Sequence, residues 1–212
     1  MEIKQFNVRT DKHTIGSLPR YLYEGPVTVV DGEKEAERCV EILRRSGLLG
    51  LDTETRPSFK RGDRHVVALL QVASHEACFL FRLNHIGLPQ CICSLLEDPN
   101  VPKVGLSLQD DFPRLRVRRD FKPAGYVELQ TLVAQMGIED LSLQKLYANV
   151  FHQRLSKGAR LSNWEADSLT EVQIRYAATD AVACINLYDA LAPLAASGRF
   201  TLIDTPPAQP NV

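Results

Sequence analysis

Hydrophobic and polar positions divide the chain into short apolar strands and helical stripes. Val27-Thr28-Val29-Val30 reads as a strand, and Asp31-Gly32 turns it into a helix reaching about Arg45. Ala36, Val40 and Leu43 form the apolar stripe of that helix, and Gly47 suits its C-terminal stop. The apolar run Leu48-Leu49-Gly50-Leu51 follows and leads straight into Asp52-Thr53-Glu54-Thr55. Residues 56–65 are a polar, basic loop. Residues 66–73 and 77–81 read as two strands of a hairpin. Helical patterns at 88–97, 109–118, 130–137 and 142–149 then alternate with short strands at 101–105 and 126–129. Ser142 is placed to cap the helix that follows it. Residues 151–168 show no clean period. Leu169 to Leu194 carries the longest helical pattern, with Thr170 as N-cap and Glu171 in the first turn.

Strands mixed with helices, with no repeat and no dividing linker, predict one α/β domain on a mixed sheet. The expected division is an N-terminal extension packing on the domain (1–24), the domain itself (25–198), and a partly disordered C-terminal tail (199–212) rich in proline at its end.

Composition changes this picture little. With 44% hydrophobic and 24% charged residues the chain reads as an ordinary globular protein. A net charge of −1 excludes a uniformly basic nucleic-acid binder but permits a local basic groove. The five cysteines, at 39, 78, 91, 93 and 184, make no C-x-x-C pair and read as free thiols of a reducing compartment. The N-terminus lacks the apolar core of a secretory signal, and no apolar run nears the ~20 residues that span a membrane. A cytoplasmic protein without membrane contact is expected.

The candidate chemistry begins at Asp52 and Glu54. Side chains alternate along a strand, so these two acids share a face, about 7 Å apart. Two buried carboxylates on one face are costly without positive charge between them. Three other regions offer acids. Asp110 and Asp111 fall in the first turn of a predicted helix, where stabilising the helix dipole is the commoner role. Tyr176 and Asp180 are spaced i, i+4 on a helix apolar on two sides, where a structural bond to neighbouring backbone is the plainer role. Glu165 and Asp167 read as an exposed loop or cap. Four carboxylates, with no His or Cys cluster, point to a hard, oxygen-loving cation such as Mg²⁺ or Mn²⁺ rather than zinc.

Residues 25–195 resemble the DEDD superfamily of 3′–5′ exonucleases, in its Tyr-bearing subgroup. They are most similar to the Werner-syndrome exonuclease domain and more distantly to ribonuclease D. The first motif matches Leu51-Asp52-Thr53-Glu54-Thr55, extended through Arg56-Pro57-Ser58-Phe59-Lys60-Arg61-Gly62. The second matches Val104-Gly105 followed by Asp111 and Leu115, and its spacing selects Asp111 over Asp110. The third matches Tyr176-Ala177-Ala178-Thr179-Asp180-Ala181. Ser162-Asn163-Trp164 and Leu169-Thr170 also fit the Werner-type pattern.

The resemblance implies a ribonuclease H-like mixed sheet flanked by helices. It also implies metal-dependent hydrolysis from the 3′ end, with two divalent cations, Mg²⁺ or Mn²⁺, ~4 Å apart at the scissile phosphate. Asp52, Glu54 and Asp180 would hold one, and Asp52 with Asp111 the other. Tyr176, with Glu54 sharing the task, would orient the attacking water. The partner is a DNA or RNA 3′ end, with DNA slightly favoured although no residue separates the two. Oligomeric state is left open. Lys60, Arg61 and Arg64, and Arg154, Lys157 and Arg160, stand within reach of backbone phosphates. Trp164 suits either base stacking or the core, and Phe59 either packing or a substrate wedge. Thr53 and Leu106 would line the terminal-nucleotide site by analogy alone. The alternative is a catalytically weak nuclease fold that binds nucleic acid or a protein partner. Because the chain ends soon after the third motif, a free-standing nuclease domain is expected.

Overall fold

A computed structural model describes residues 3–60 and 62–204. Along the chain come β1 (Lys4–Asn7), α1 (Lys12–Ile15), β2 (Val27–Val30), α2 (Glu33–Leu43), β3 (Leu49–Thr55), β4 (Val67–Ala73) and β5 (Cys78–Arg82). They are followed by α3 (Leu83–Ile86), α4 (Gln90–Glu97), β6 (Lys103–Gly105), α5 (Leu108–Arg116), β7 (Tyr126–Glu128) and α6 (Leu129–Gln135). The last elements are α7 (Leu143–Phe151), α8 (Glu171–Ser197) and β8 (Phe200–Ile203).

Six strands form one sheet in the order β2-β5-β4-β3-β6-β7. β4 runs antiparallel to β3 and β5, and the remaining neighbours are parallel, so the sheet is mixed as the pattern predicts. Helices α2, α4 and α5 pack on one face through Val40, Leu43, Ile92, Leu95, Phe112 and Leu115. Helices α6, α7 and α8 cover the other. With both faces covered, β4 and β5 are buried at every position, which explains their unbroken apolar runs.

α8 is capped by a reciprocal Thr170–Gln173 box, and every residue from Tyr176 to Ile185 is buried. It lies directly over β3 because Gly50 has no side chain. A Cβ there would stand 2.1 Å from the carbonyl oxygen of Ala181. That close approach sets the third motif against the first.

Two local expectations change. α2 ends at Leu43, where the Arg44 N–H already bonds the Val40 carbonyl, so Gly47 is not its stop. The five cysteines are free, as expected, and residues 91 and 93 lie on helix α4. Phe200–Ile203 is a strand, β8, paired in parallel with β1, and Phe6 meets Phe200 across the pair. The tail expected from residue 199 thus opens with a strand, while 205–212, where its disorder was expected, lie outside the described residues. The pairing joins segments almost 200 residues apart, beyond the reach of any local pattern.

The segment before β2 is tied to the helical layer by backbone-directed bonds. The Asn7 N–H donates to Asn149 Oδ1 (2.8 Å), Thr10 N–H to Asp140 (3.0 Å), Tyr21 N–H to the Arg154 carbonyl (3.0 Å) and Tyr23 N–H to Thr179 Oγ1 (3.0 Å). Among the described residues no helix is long and apolar enough to cross a membrane.

Candidate active site

β3 alternates its side chains between the two layers. Leu49 and Leu51 enter the α2–α4–α5 core, so Gly50, Asp52 and Glu54 point the other way, toward α8. Asp180 descends from α8 onto this face. Carboxylate oxygens of Asp52, Glu54 and Asp180 all lie within 4.8 Å of one another. Asp111 arrives from the opposite layer, at the start of α5, just beyond the end of β6. Thr53, on the α5 side of β3, donates its hydroxyl to Asp111 Oδ1 at 2.8 Å. The chain enters α5 through Ser107 in a left-handed conformation (φ 66°), and the Ser107 N–H donates to Glu128 at 2.9 Å.

These acids hold their protons unusually tightly. Burial, followed by the charges of Asp180, Glu54 and Asp111, raises Asp52 well above the ordinary carboxylate range. Glu54 is pushed up to about 9, mainly by burial and then by Asp180 and Asp111, against the nearby Arg160. Burial moves Asp180 to about 7 even though the Tyr176 hydroxyl donates to it. Asp111 sits at about 6, raised by burial and held down by the Thr53 hydroxyl. Tyr176 is itself raised, by burial first and by Asp180 and Glu54 next, so its hydroxyl stays protonated. Four crowded carboxyl groups with oxygen donors only, and too few cations to balance them, fit divalent ions of the Mg²⁺ or Mn²⁺ type.

Other expected residues fall variously. Arg160 is exposed and shares a cavity with Tyr176 and Asp180. Leu106 is half-buried and packs against the α8-side core. The Thr53 hydroxyl is committed to Asp111, so Thr53 positions a carboxylate rather than simply lining a nucleotide site. Lys60 and Phe59 are exposed in the β3–β4 loop, and Arg61 lies outside the described residues. Of the two roles open to Trp164, the core position is the one observed, and the base-stacking role is set aside. The residue is 0% exposed and sits 6.0 Å from the Tyr176 ring, so it supports the tyrosine from behind and has no free face for a base. Glu165 lies in the expected loop but is half-buried rather than exposed, and binds Arg56 at 3.3 Å and His65 at 2.9 Å, tying the end of β3 to the segment before α8. Fully buried Arg82 holds the same segment through the carbonyls of Ala166 and Asp167.

Two neighbours escaped the sequence reading. Gln71 is buried directly opposite Asp52 in the β3–β4 register and so shares its face. Glu128 joins the Ser107 turn to α6. Only strand pairing brings either of them to the site.

Residues 27–195 match the 3′-5′ exonuclease family over its motifs and the sheet that carries them. The chain belongs to this family. It is 40% identical over 134 residues to "Exonuclease 3′-5′ domain-containing protein 2" of Drosophila melanogaster, a match covering 61% of the chain and 23% of that protein. It is 36% identical over 159 residues to "Bifunctional 3′-5′ exonuclease/ATP-dependent helicase WRN" of Mus musculus, covering 72% of the chain and 11% of that protein. The chain thus spans under a quarter of the length of either relative. The crystal structure of the Aedes aegypti Nibbler EXO domain superposes with a TM-score of 0.76 at 18% identity, over 85% of this chain and 94% of that one. The fold is the ribonuclease H-like mixed sheet flanked by helices that this family of exonucleases shares.

Proposed function

We propose that this chain is a metal-dependent exonuclease of the Tyr-bearing subgroup, which removes nucleoside 5′-monophosphates from nucleic-acid 3′ ends. The supporting observation is the meeting of Asp52, Glu54 and Asp180 within 4.8 Å, with Tyr176 one helical turn before Asp180. Asp52, Glu54 and Asp180 would hold one Mg²⁺ or Mn²⁺ ion, and Asp52 with Asp111 a second. When bound, the ions supply positive charge to the phosphate oxygens and make a water acidic enough to act as nucleophile near neutral pH.

The side chains do the rest. Tyr176 stays protonated and, held by Asp180 and backed by Trp164, fixes the direction of the attacking water through its hydroxyl. Glu54 faces the same site and, ionised once cations offset the crowded acids, accepts a proton from that water. The water oxygen bonds to phosphorus, the bond to the upstream 3′-oxygen breaks, and that oxygen leaves as the new 3′-hydroxyl after taking a proton from solvent. Thr53 keeps Asp111 turned toward the site. Arg160 lies beside Glu54 and Asp180, placed to meet a phosphate entering there. DNA is the first substrate to try.

The test is degradation of 5′-labelled DNA and RNA oligonucleotides in Mg²⁺, Mn²⁺ and EDTA. Stepwise shortening from the 3′ end, with loss of activity in EDTA and in Asp52→Asn, is expected. Metal-independent cleavage, or equal cleavage by Asp52→Asn, would refute the proposal.

A further inference from the structure

The carboxylate site does not stand alone on its side of the molecule. A cavity of about 170 Å³ opens beside Tyr176 and Asp180 and is walled by Lys157 and Arg160. A second, of about 350 Å³, lies next to it. The two share Ser142, Gln144 and Lys157, so they form one continuous groove. The outer half is lined by Lys12, Lys145, Arg154 and Lys157, and no carboxylate lines it. Asp140 stands behind Lys145, 3.5 Å from its Nζ, but is buried and also receives the Thr10 N–H. Lys12 and Lys157 are exposed and make no ion pair among the described residues. On a chain whose net charge is −1, this run of four cations leading away from four acids is a local asymmetry.

The outer wall is built by the segment before the family-matched region, which begins at residue 27. Lys12, Ile15 and Gly16 come from α1 and its end. This segment is fixed in place. Thr10 is held by Asp140. The Tyr21 N–H donates to the Arg154 carbonyl, and the Arg154 N–H donates to the Pro19 carbonyl. The Arg154 side chain donates to the Leu18 carbonyl. The segments that carry Lys12 and Arg154 are therefore hydrogen-bonded to one another.

We infer that the groove carries the backbone of the substrate strand away from the active site, with Lys12, Lys145, Arg154 and Lys157 contacting phosphates upstream of the terminal nucleotides. The N-terminal segment is thereby an outer substrate subsite of this chain. The inference rests on the exonuclease reading and extends it to how the enzyme measures strand length. The lining is polar and aliphatic, with no aromatic ring for stacking, which suits phosphate contact without base readout.

The experiment compares a single-stranded 16-mer with a dinucleotide, for the wild type and for Lys12→Glu and Lys12→Glu/Lys157→Glu. The expected result is a KM for the 16-mer raised about tenfold in the double variant, with a much smaller change for the dinucleotide. The logarithmic salt dependence of 16-mer binding should also flatten by about 0.7 for each phosphate that the variant no longer neutralises. Equal changes for both lengths, or none for either, would overturn the inference. Anisotropy of a labelled 16-mer and 4-mer in EDTA reads the groove independently of catalysis. If the wild type binds the 16-mer more tightly and Lys12→Glu erases that advantage, the groove stands even should cleavage fail. If binding shows no dependence on length, the groove is not a nucleic-acid path, whatever the activity.

Discussion

Asp52→Asn separates a metal site from a structural acid most sharply. In the metal-free protein Asp52 faces Glu54 and Asp180 with oxygens within 4.8 Å, and two full charges at that distance repel by about 3 kcal/mol at an effective dielectric constant of about 20. Because these carboxyls are weakened as acids, part of this repulsion is already relieved by bound protons. Removing one charge should therefore return roughly 1–3 kcal/mol at pH 8, or about 3–8 °C in Tm for a chain of this size. Metal has the opposite effect on the wild type. At 100 times its Kd an ion bound only by the folded state adds about 2.7 kcal/mol, roughly 5–10 °C. Asn at position 52 removes a ligand common to both ions, so most of that gain should vanish. Thermal melts of both proteins, in EDTA and in 10 mM-range Mn²⁺, should cross: the variant melts higher without metal and lower with it. A variant that melts below the wild type in EDTA, or gains as much from Mn²⁺, would refute the assignment of Asp52.

Three further outcomes are expected. Tyr176→Phe should lower kcat by about 10²-fold while keeping the Mn²⁺-induced Tm shift, because the hydroxyl acts on water and not on the ions; loss of the shift would contradict that role. In EDTA the carboxyls at about 9 (Glu54), 7 (Asp180) and 6 (Asp111) bind more protons folded than unfolded, so stability should fall as pH rises from about 4.5 to about 9. Urea midpoints at pH 5, 7 and 9 check the sign, Mn²⁺ should flatten the curve, and metal-free stability that rises with pH would count against the cluster. Trp164, the sole tryptophan, should emit as a buried indole and show no quenching by a saturating oligonucleotide, while Trp164→Ala should cost about 3–5 kcal/mol; strong quenching would restore the base-stacking role.

The acids of the site were legible because each sits in a strong local pattern. The run into Asp52 and Glu54 reads as a buried strand, and alternation then puts both acids on one face. The capped helical pattern after Thr170 placed Tyr176 and Asp180 together. Asp111 was chosen by its resemblance to a motif, and the geometry gives it a physical partner in Thr53. The partners of Trp164 and Glu165 were not legible. Both residues lie in a stretch without periodicity, whose course is set by distant contacts to Tyr176, Arg56, His65 and Arg82. Gln71 and Glu128 were hidden for a similar reason: register across strands decides which residues become neighbours.

What the sequence by itself determined was the six strands of the main sheet, most of their helices and the acids they carry, since hydrophobic period and helix caps are local properties of the chain. Tertiary structure alone decided how closely those acids meet, through the bare backbone of Gly50 that lets α8 rest on β3. It also decided where the cations go. Lys12 and Lys157 are far apart in the chain and share no local pattern, yet they line one groove because β1, α1 and the segment after them dock on α7 and α8. Attraction between segments so distant in sequence depends on shape and burial formed only when the chain has folded, and no local pattern records it.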